Sequence, residues 1–458
     1  MSLFGAMNTA ISGLTAQSSA FSNISDNVAN SQTVGYKRVD TNFIDYLTTS
    51  TATQNDSGAV VATPDYVNNV QGTITQTDNP LGLGIAGQGF FAVSQQSGEV
   101  NNIPTFDQQQ YYTRAGDFQM NKNGYLVNSA GNYLNGWPVT IDPNTGSPVV
   151  NQNTLTPIQV TQTVYNPVAT STVTLSANLP ATPAAGTAVP ASPGPPAVAA
   201  APISSDIDVY DSLGTMHTVT LNWVQTAPNN WTVQINVPDP NAATQDVGSA
   251  DVTFGSNGVS AGTIGQLAVN NADPGTVSCL PYVPGGGTAA ALSFTRDFGT
   301  GSGPQTITVD LGTYGGTSGL TQYAGTQYSL RGLTQNGVPP GAFASVTTQT
   351  NGDIVVNYDN GQSRTIAQVP VITFNDPNGL QRQNGQAYTA STQSGTPLAE
   401  SAGTNGAGTL VTQSVESSNV DIATEFSKLI VAQQAYSANT KLVTTADQMV
   451  QQTINMKQ

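Results

Sequence analysis

A histidine, a cluster of aspartates and a cysteine are the side chains of this chain whose types could do chemistry. His217 is the one histidine. A Ser-His-Asp or Cys-His relay needs an imidazole held between a nucleophile and an acid. Here the histidine is followed by alternating Val219 and Leu221, the pattern of a strand, where a lone histidine is usually structural. Asp206, Asp208 and Asp211 have the spacing of oxygen ligands, but the glycine and glutamate that complete a calcium loop do not follow. Asp206 and Asp208 share one face of a strand and read as a solvated face. Cys279, followed by Leu280-Pro281, reads as a small buried hydrophobe and by itself forms no internal disulfide. Gly285-Gly286-Gly287 does not join a strand to a helix, so it reads as a loop rather than a phosphate cradle. Trp137, Trp223 and Trp231 could stack on a carbohydrate, although tryptophans in strands more often fill a core. No catalytic residue, cofactor or metal is expected.

The elements that position these residues are built from an unusual composition. Of the 458 residues only 8% are charged, against about 25% in an ordinary globular protein. Asn, Gln, Ser and Thr must therefore supply most of the polar surface. There are 27 acidic and 11 basic residues, a net charge of −16, and the adjacent pair Lys37–Arg38 is the only one near the N-terminus. That balance excludes a phosphate-tracking surface, so no nucleic acid or anionic membrane is expected as a partner. No stretch approaches the roughly 18 consecutive apolar residues of a membrane span. The start, Met1-Ser2-Leu3-Phe4-Gly5-Ala6-Met7, lacks the pattern of a cleaved signal peptide. If the protein is extracellular, it leaves by a route that reads something else.

Residues 1–30 contain no proline and one charge, Asp26. At alternating spacings of four and three they place Leu3, Met7, Ala10, Leu14, Gln17, Phe21, Ile24 and Val28 on one seam. Gln17 is the polar exception in what is otherwise a heptad repeat. The other end mirrors it with Ile422, Phe426, Leu429, Ala432, Tyr436, Val443, Ala446, Val450 and Ile454, and a polar break at Asn439–Thr440. A helix is predicted over about 421–456, N-capped by Asp421 or Asn419, with Glu425 in the first turn where the helix dipole favours it. The remaining faces carry small residues, Ala6, Gly13, Ala16, Ala20 and Ala29 at one end and Ala423, Ala435 and Ala438 at the other. Such faces pack closely on neighbours. A docked two-helix stalk and a tube completed by further copies both fit, since a repeated contact that does not close gives an open helical filament.

Between the helices the period changes to two. Val209-Tyr210-Asp211, turning through Ser212-Leu213-Gly214 into Thr218–Val224, is a predicted hairpin. A second is Asp353–Tyr358, turning at Asn360-Gly361 into Ser363–Ile366. The 46 glycines and 27 prolines suit an all-β middle. Residues 180–202 are a low-complexity Ala/Pro/Gly stretch and read as an exposed insertion.

Several segments resemble the axial proteins of the bacterial flagellum, the rod, hook and hook-junction family. Asn27-Val28-Ala29-Asn30-Ser31-Gln32-Thr33-Val34-Gly35-Tyr36-Lys37 is similar to the family's N-terminal signature, and Asn27, Asn30, Gly35, Tyr36 and Lys37 carry the likeness. Val431–Asn439 through Asp447, with Gln433, Tyr436 and Asn439, resembles its C-terminal signature. Asn79-Pro80-Leu81 through Phe91, and Tyr112–Phe118 followed by Asn123–Val127, resemble segments shared by hook and rod proteins. Val209–Gly214 with His217, and Ser417-Ser418-Asn419-Val420-Asp421, are hook-like. The likeness covers about 1–145 and 318–458, and 203–224 locally.

The resemblance implies an α+β architecture. Long N- and C-terminal helices (1–30 and 419–458) would pair as a coiled-coil-like inner-tube domain, with two mainly antiparallel β outer domains inserted between them. Residues 31–80 would form an extended linker, returning near 401–418. Residues 81–149 with 318–400 would make a middle β domain, and 150–317 an outer one carrying the 180–202 insertion. The implied protein is a structural subunit, not an enzyme, that self-assembles into the curved, flexible hollow tube transmitting torque from rod to filament. The self-assembly residues would be Leu3, Met7, Ala10, Leu14, Phe21, Ile24 and Val28 with Ile422, Phe426, Leu429, Tyr436, Val443, Val450 and Ile454. Implied partners are further copies, distal rod and hook–filament junction proteins, the hook cap and the flagellar export apparatus. The implied location is the extracellular flagellum, reached without a cleaved signal peptide. Two other readings stand beside it, a distal rod protein and a secreted β-domain binding module with a helical oligomerisation stalk.

Overall fold

A computed structural model describes residues 3–50, 55–141, 147–181, 203–237, 246–273, 275–284 and 287–456, without the side chains of 3, 4, 48–50 and 55–57. The fold is mostly β, with one long helix towards each end of the chain. It divides into two compact units, Met1–Gln162 with Ala344–Asn357 and Ser363–Gln458, and Thr163–Phe343 with Tyr358–Gln362. Residues 182–202, nearly all of the low-complexity stretch, lie outside the described residues, as do Gly285 and Gly286.

In the first unit, helix α1 spans Leu3–Ala29 and helix α2 spans Ile422–Asn455. Asp421 is the N-cap of α2 and accepts from the backbone N–H of Ala423 (2.9 Å) and Thr424 (3.3 Å). Those two bonds hold its carboxyl below the usual carboxylate range. Asn419 instead ties the approach to α2 onto the segment after α1. Its Oδ1 accepts from the Arg38 N–H at 2.7 Å, and its Nδ2 donates to the carbonyls of Val67 and Val70. α2 continues unbroken through Asn439–Thr440, where the Thr440 hydroxyl donates back to the Tyr436 carbonyl.

After α1, strands β1 (Val39–Ser50) and β2 (Asn55–Tyr66) pair antiparallel from Val39↔Tyr66 to Tyr46↔Ala59. This hairpin lies along α1, with Asn23 Nδ2 donating to Thr41 Oγ1 (2.8 Å) and the Val60 N–H donating to Ser12 Oγ (3.0 Å). The sequence reading leaves these residues inside an extended linker. The connecting Thr51-Ala52-Thr53-Gln54 carries no Asn-Gly or Gly-Gly signal to announce a turn.

The β part of this unit interleaves distant segments. Strands Ser363–Gln368, Tyr133–Ile141, Phe91–Ser94, Tyr111–Thr113, Ala387–Thr389 and Gln381–Gln383 follow one another in a single sheet. Phe90, Tyr112, Phe374 and Tyr388 meet edge to face in its core, with centroids 4.9–5.9 Å apart.

The second unit holds a five-stranded antiparallel meander (Ile203–Tyr210, Met216–Ala227, Asn230–Asn236, Asp246–Phe254, Ile264–Val269) and a six-stranded sheet. In the latter, Thr172–Pro180 runs parallel to Pro304–Thr313 and to Thr321–Tyr323, a local departure from antiparallel pairing. Both sheets send their inward positions into one core that includes Leu175, Val209, Trp223, Trp231, Phe294 and Ile307. The alternation along Ile203–Tyr210, every second residue buried, is the period of two that its sequence carries. Both predicted hairpins form, with Gly214 and Gly361 at positive φ in their turns.

Candidate functional site

The side chains that could do chemistry are used as structure. His217 Nε2 lies 3.2 Å from Asp211 Oδ2, and its ring stacks on Phe298 at 4.3 Å. Asp211 is fully buried and also accepts from the Leu213 and Thr215 N–H groups and the Thr300 hydroxyl. Burial pushes its carboxyl up, but the bonds from Thr300, Thr215, His217 and Leu213 together bring it below the ordinary range. The carboxylate thus sits between histidine and hydroxyl, the wrong order for a histidine that would activate a nucleophile. Asp206 and Asp208 each accept a cross-strand bond from a threonine, Thr220 and Thr218. No group of three or more potential metal ligands occurs among the described residues. Cys279 is part-buried against the core of the second unit, where burial and then the charge of Asp251 push its thiol up to about 11. Trp223 and Trp231 are fully buried and Trp137 nearly so, which leaves none of the three as a stacking platform.

The helical pair is the opposite case, a surface without chemistry. α1 and α2 meet along a seam of small residues. Ala10, Ala16, Ala20 and Ile24 are buried from α1, and Ala432 and Ala446 from α2. A Cβ on Gly13 would stand 3.0 Å from Asn439 Nδ2, so glycine there leaves room for the Asn439 side chain of α2. Of the seam expected on α1, Ala10 and Ile24 are buried, while Met7, Leu14, Phe21 and Val28 are half-buried. The Leu3 side chain lies outside the described residues. On α2, Leu429, Val443 and Val450 are half-buried, and Ile422, Phe426, Tyr436 and Ile454 are exposed. Phe21 and Tyr436 touch edge to face at 6.3 Å.

The exposed apolar side chains of α2 include Phe426, Ile430, Val431, Leu442 and Met449, each more than half exposed. Beside them, Ala20, Ile24, Val39, Phe43, Val431 and Ala432 line a mostly apolar groove of about 580 Å³. Hydroxyls on both helices bond to their own backbone: Thr9, Thr15 and Ser19 to the carbonyls four residues back in α1, and Ser427, Thr445 and Thr453 likewise in α2. A face covered with such self-satisfied hydroxyls can be buried against a neighbour without leaving a polar group unpaired. No helix among the described residues is long and apolar enough to cross a membrane.

Where the helices join the β part, charge and amide groups are packed together. Asn27, fully buried, donates to the Val39 carbonyl (2.9 Å) and to Glu425 Oε2 (3.1 Å), and accepts from the Val39 N–H and the Tyr36 hydroxyl. Lys428 bridges Asp40 Oδ1 (2.6 Å) and Glu425 Oε1 (2.8 Å), and its ammonium is held above the usual lysine value by those two carboxylates against the pull of burial. Lys37 and Arg114 both pair with Glu416. Burial lowers Lys37 to about 8, Glu416 opposing that shift and Arg114 adding to it. Arg382 lies over the Tyr36 ring at 4.3 Å. Asn27, Gly35, Tyr36 and Lys37 are therefore all buried at this joint; Asn30 is half-buried and donates to the Asp26 carbonyl. Asn439 lies against Gly13, and Gln433 is exposed. The sequence reading missed Asp40, Glu416 and Lys428, and gave Glu425 only as a first-turn charge of α2. Their signal is scarcity, because in a chain so poor in charge each ionised residue beside the terminal signatures needs a reason.

Comparison with known proteins places this geometry among relatives. Residues 7–37 match the family described as flagella basal body rod protein, and 84–156 the flagellar hook protein FlgE/F/G D1 domain. Residues 174–338 match the flagellar basal body protein FlaE D2 domain, and 411–456 the flagellar basal body rod FlgEFG protein C-terminal family. Over 457 residues the chain is 31% identical to the flagellar hook protein FlgE of Brucella suis, covering all of both chains. It is 28% identical to that of Escherichia coli K12, over 99% of this chain and all of the other. Among solved structures, the flagellar hook protein FlgE2 of Helicobacter pylori aligns with a TM-score of 0.46 at 14% identity, over 73% of this chain and 98% of that one.

Proposed function

The chain belongs to the flagellar hook protein family, and from that premise we propose how its parts serve a hook. It is a structural subunit of the bacterial flagellar hook and part of the flagellum. Neither the distal rod nor a secreted binding module is favoured. The outer unit and full-length hook relatives speak against the rod, and the buried tryptophans speak against the module.

The finer reading assigns α1 and α2 to a coiled-coil-like inner domain (1–30 and 419–458) that copies of the chain complete into a tube around a channel. Residues 31–80, returning near 401–418, connect it to a middle β domain (81–162 with 344–400), and 163–343 form the outer β domain; the expected bounds of 318–400 and 150–317 shift because Thr321–Tyr323 and Ser329–Gln335 pair with Thr172–Pro180. In this reading Met7, Leu14, Phe21, Val28, Phe426, Leu429, Tyr436, Val443, Val450 and Ile454 meet neighbouring copies or the partner helix. Ala10 and Ile24 form the seam floor, and Leu3 and Ile422 extend it. The subunit bends and carries torque, performs no catalysis and binds no cofactor. It leaves the cell by the flagellar export apparatus without signal cleavage, assembles under a cap, and meets rod and junction proteins at the two ends of the tube.

The observation that carries this reading is the row of exposed apolar side chains on α2, which a solitary subunit leaves in water. Charge supports it. α1 carries Asp26 alone, and in α2 Glu425 and Asp447 cancel Lys428 and Lys441. Nearly all of the net charge of −16 thus lies elsewhere, and like copies can approach through the helices without repulsion. Electron microscopy of concentrated full-length protein beside a 31–418 chain tests it. Curved tubes from the full chain alone are expected. Straight tubes would favour a rod, and discrete closed oligomers or monomers from both chains would overturn the reading.

A further inference from the structure

Three charged side chains at the joint of the first unit are withdrawn from water almost completely: Lys37 is 1% exposed, Arg114 3% and Glu416 0%. They come from three separate stretches of chain, the segment leaving α1, the β part, and the strand Ser414–Glu416 just ahead of α2. The Glu416 carboxylate gathers all of them. Oε1 accepts from Lys37 Nζ and from the Gly72 N–H (2.7 Å), and Oε2 accepts from Arg114 Nη1 (2.9 Å). Its own backbone carbonyl accepts from the Gly35 N–H at 2.7 Å. Arg114 also donates to the carbonyls of Ile85 and Gly87, and Lys37 to that of Val70. The backbones touch around this point. A Cβ on Gly72 would stand 1.9 Å from the Ser417 carbonyl oxygen, and one on Gly35 2.3 Å from the Ala115 nitrogen.

Among the described residues, the ion pairs of Lys37 and Arg114 are both with Glu416. Two buried cations therefore depend on one carboxylate, and that carboxylate comes from near the far end of the chain. Closing the joint without it would bury two unpaired positive charges, which packing does not offset. We propose that Glu416 is a latch: by bringing the counter-charge for Lys37 and Arg114, the C-terminal segment fixes α1 and the β1–β2 hairpin to the β part, so the inner unit sets only in a chain complete beyond residue 416. The strands around it arrive together, since Ser414–Glu416 pairs with Ile74–Gln76 and Thr409–Thr412 with Leu83–Ala86. The latch would keep incomplete chains out of a growing tube; that consequence, and nothing else in the proposal, rests on the hook reading.

Hydrogen exchange read by mass spectrometry on the full chain tests it, comparing wild type with Glu416→Gln and Lys37→Met. Glu416→Gln should speed exchange across residues 31–76 by roughly a hundredfold or more, with residues 203–343 unchanged. Lys37→Met leaves Arg114 and Glu416 as a matched pair and should speed it by about tenfold or less. Wild-type protection of 31–76 in Glu416→Gln would overturn the latch. So would equal damage from both variants, which would mean packing rather than counter-charge, or a matching loss in 203–343, which would mean global unfolding. In a mixed assembly, Glu416→Gln should be left out of tubes that wild type forms, and its incorporation at wild-type levels would also overturn the latch. If wild type forms no tubes while the exchange results hold, the hook reading fails and the latch stands.

Discussion

The second unit and the terminal helices are built from the same charge-poor alphabet and solve burial in different ways. The second unit closes its two sheets over a core in which Trp223, Trp231, Phe294 and Phe298 are at most 1% exposed. The helices share a thin seam of alanines and leave Phe426, Ile430, Leu442 and Met449 in water. One region encloses a core of large side chains, although Leu213, Met216 and Leu280 stay more than half exposed at its surface, and the other has only the seam. A region of the first kind tolerates changes of neighbour, whereas a region of the second kind requires a neighbour.

The contrast breaks most visibly in the core of the second unit. Trp231→Ala should destabilise the second unit by about 3–5 kcal/mol, read by urea unfolding, while exchange at residues 31–76 stays at its wild-type rate. Coupled loss in both regions would mean that the core of the second unit is not self-sufficient. At the joint, the prediction concerns pH. Lys37 is lowered to about 8 from its ordinary 10.5, chiefly by burial. Below about 8 both folded and unfolded chains hold the proton, and this group adds no pH dependence. Between about 8 and 10.5 the unfolded chain keeps a proton that the folded chain has released, so stability rises with pH, by up to about 3 kcal/mol. A melting temperature for the first unit that falls across that window, with Lys37→Met as the reference, would contradict the assignment. The smallest effect on the folded subunit is expected at the exposed helix face. Phe426→Ser with Ile430→Ser should change subunit stability by no more than about 0.5 kcal/mol and yet abolish sedimentable tubes. Tubes at wild-type yield would show that this face is not where copies meet.

Much of the architecture is legible in local pattern. α1 and α2 follow from long proline-free stretches with apolar residues three and four apart, and Asp421 sits where an N-cap should. The hairpins at 203–227 and 353–368 follow from alternation and from Asp-Ser-Leu-Gly and Asn-Gly turns. The reading of His217 and the tryptophans as structural, and of Asp206 and Asp208 as a solvated face, agrees with their partners and exposure in the fold. The β1–β2 hairpin was not legible, because its turn has no distinctive residues and its strands rest on a helix rather than on a sheet. The buried face of α1 was only partly so. Periodicity weights large apolar residues, whereas close helix packing selects small ones such as Ala16, Ala20 and Gly13.

By itself the sequence determines that two charge-poor helices flank a β body with few basic residues. Those properties follow from composition and from periods shorter than about four residues. Only the tertiary structure decides that Lys37, Arg114 and Glu416 share one buried site. Glu416 lies 379 positions from Lys37 and 302 from Arg114, and nothing within a few residues of any of them encodes the pairing. The reason is physical: a helix or turn is stabilised by neighbours in the chain, whereas a buried carboxylate is stabilised only by whatever charge the completed fold brings beside it.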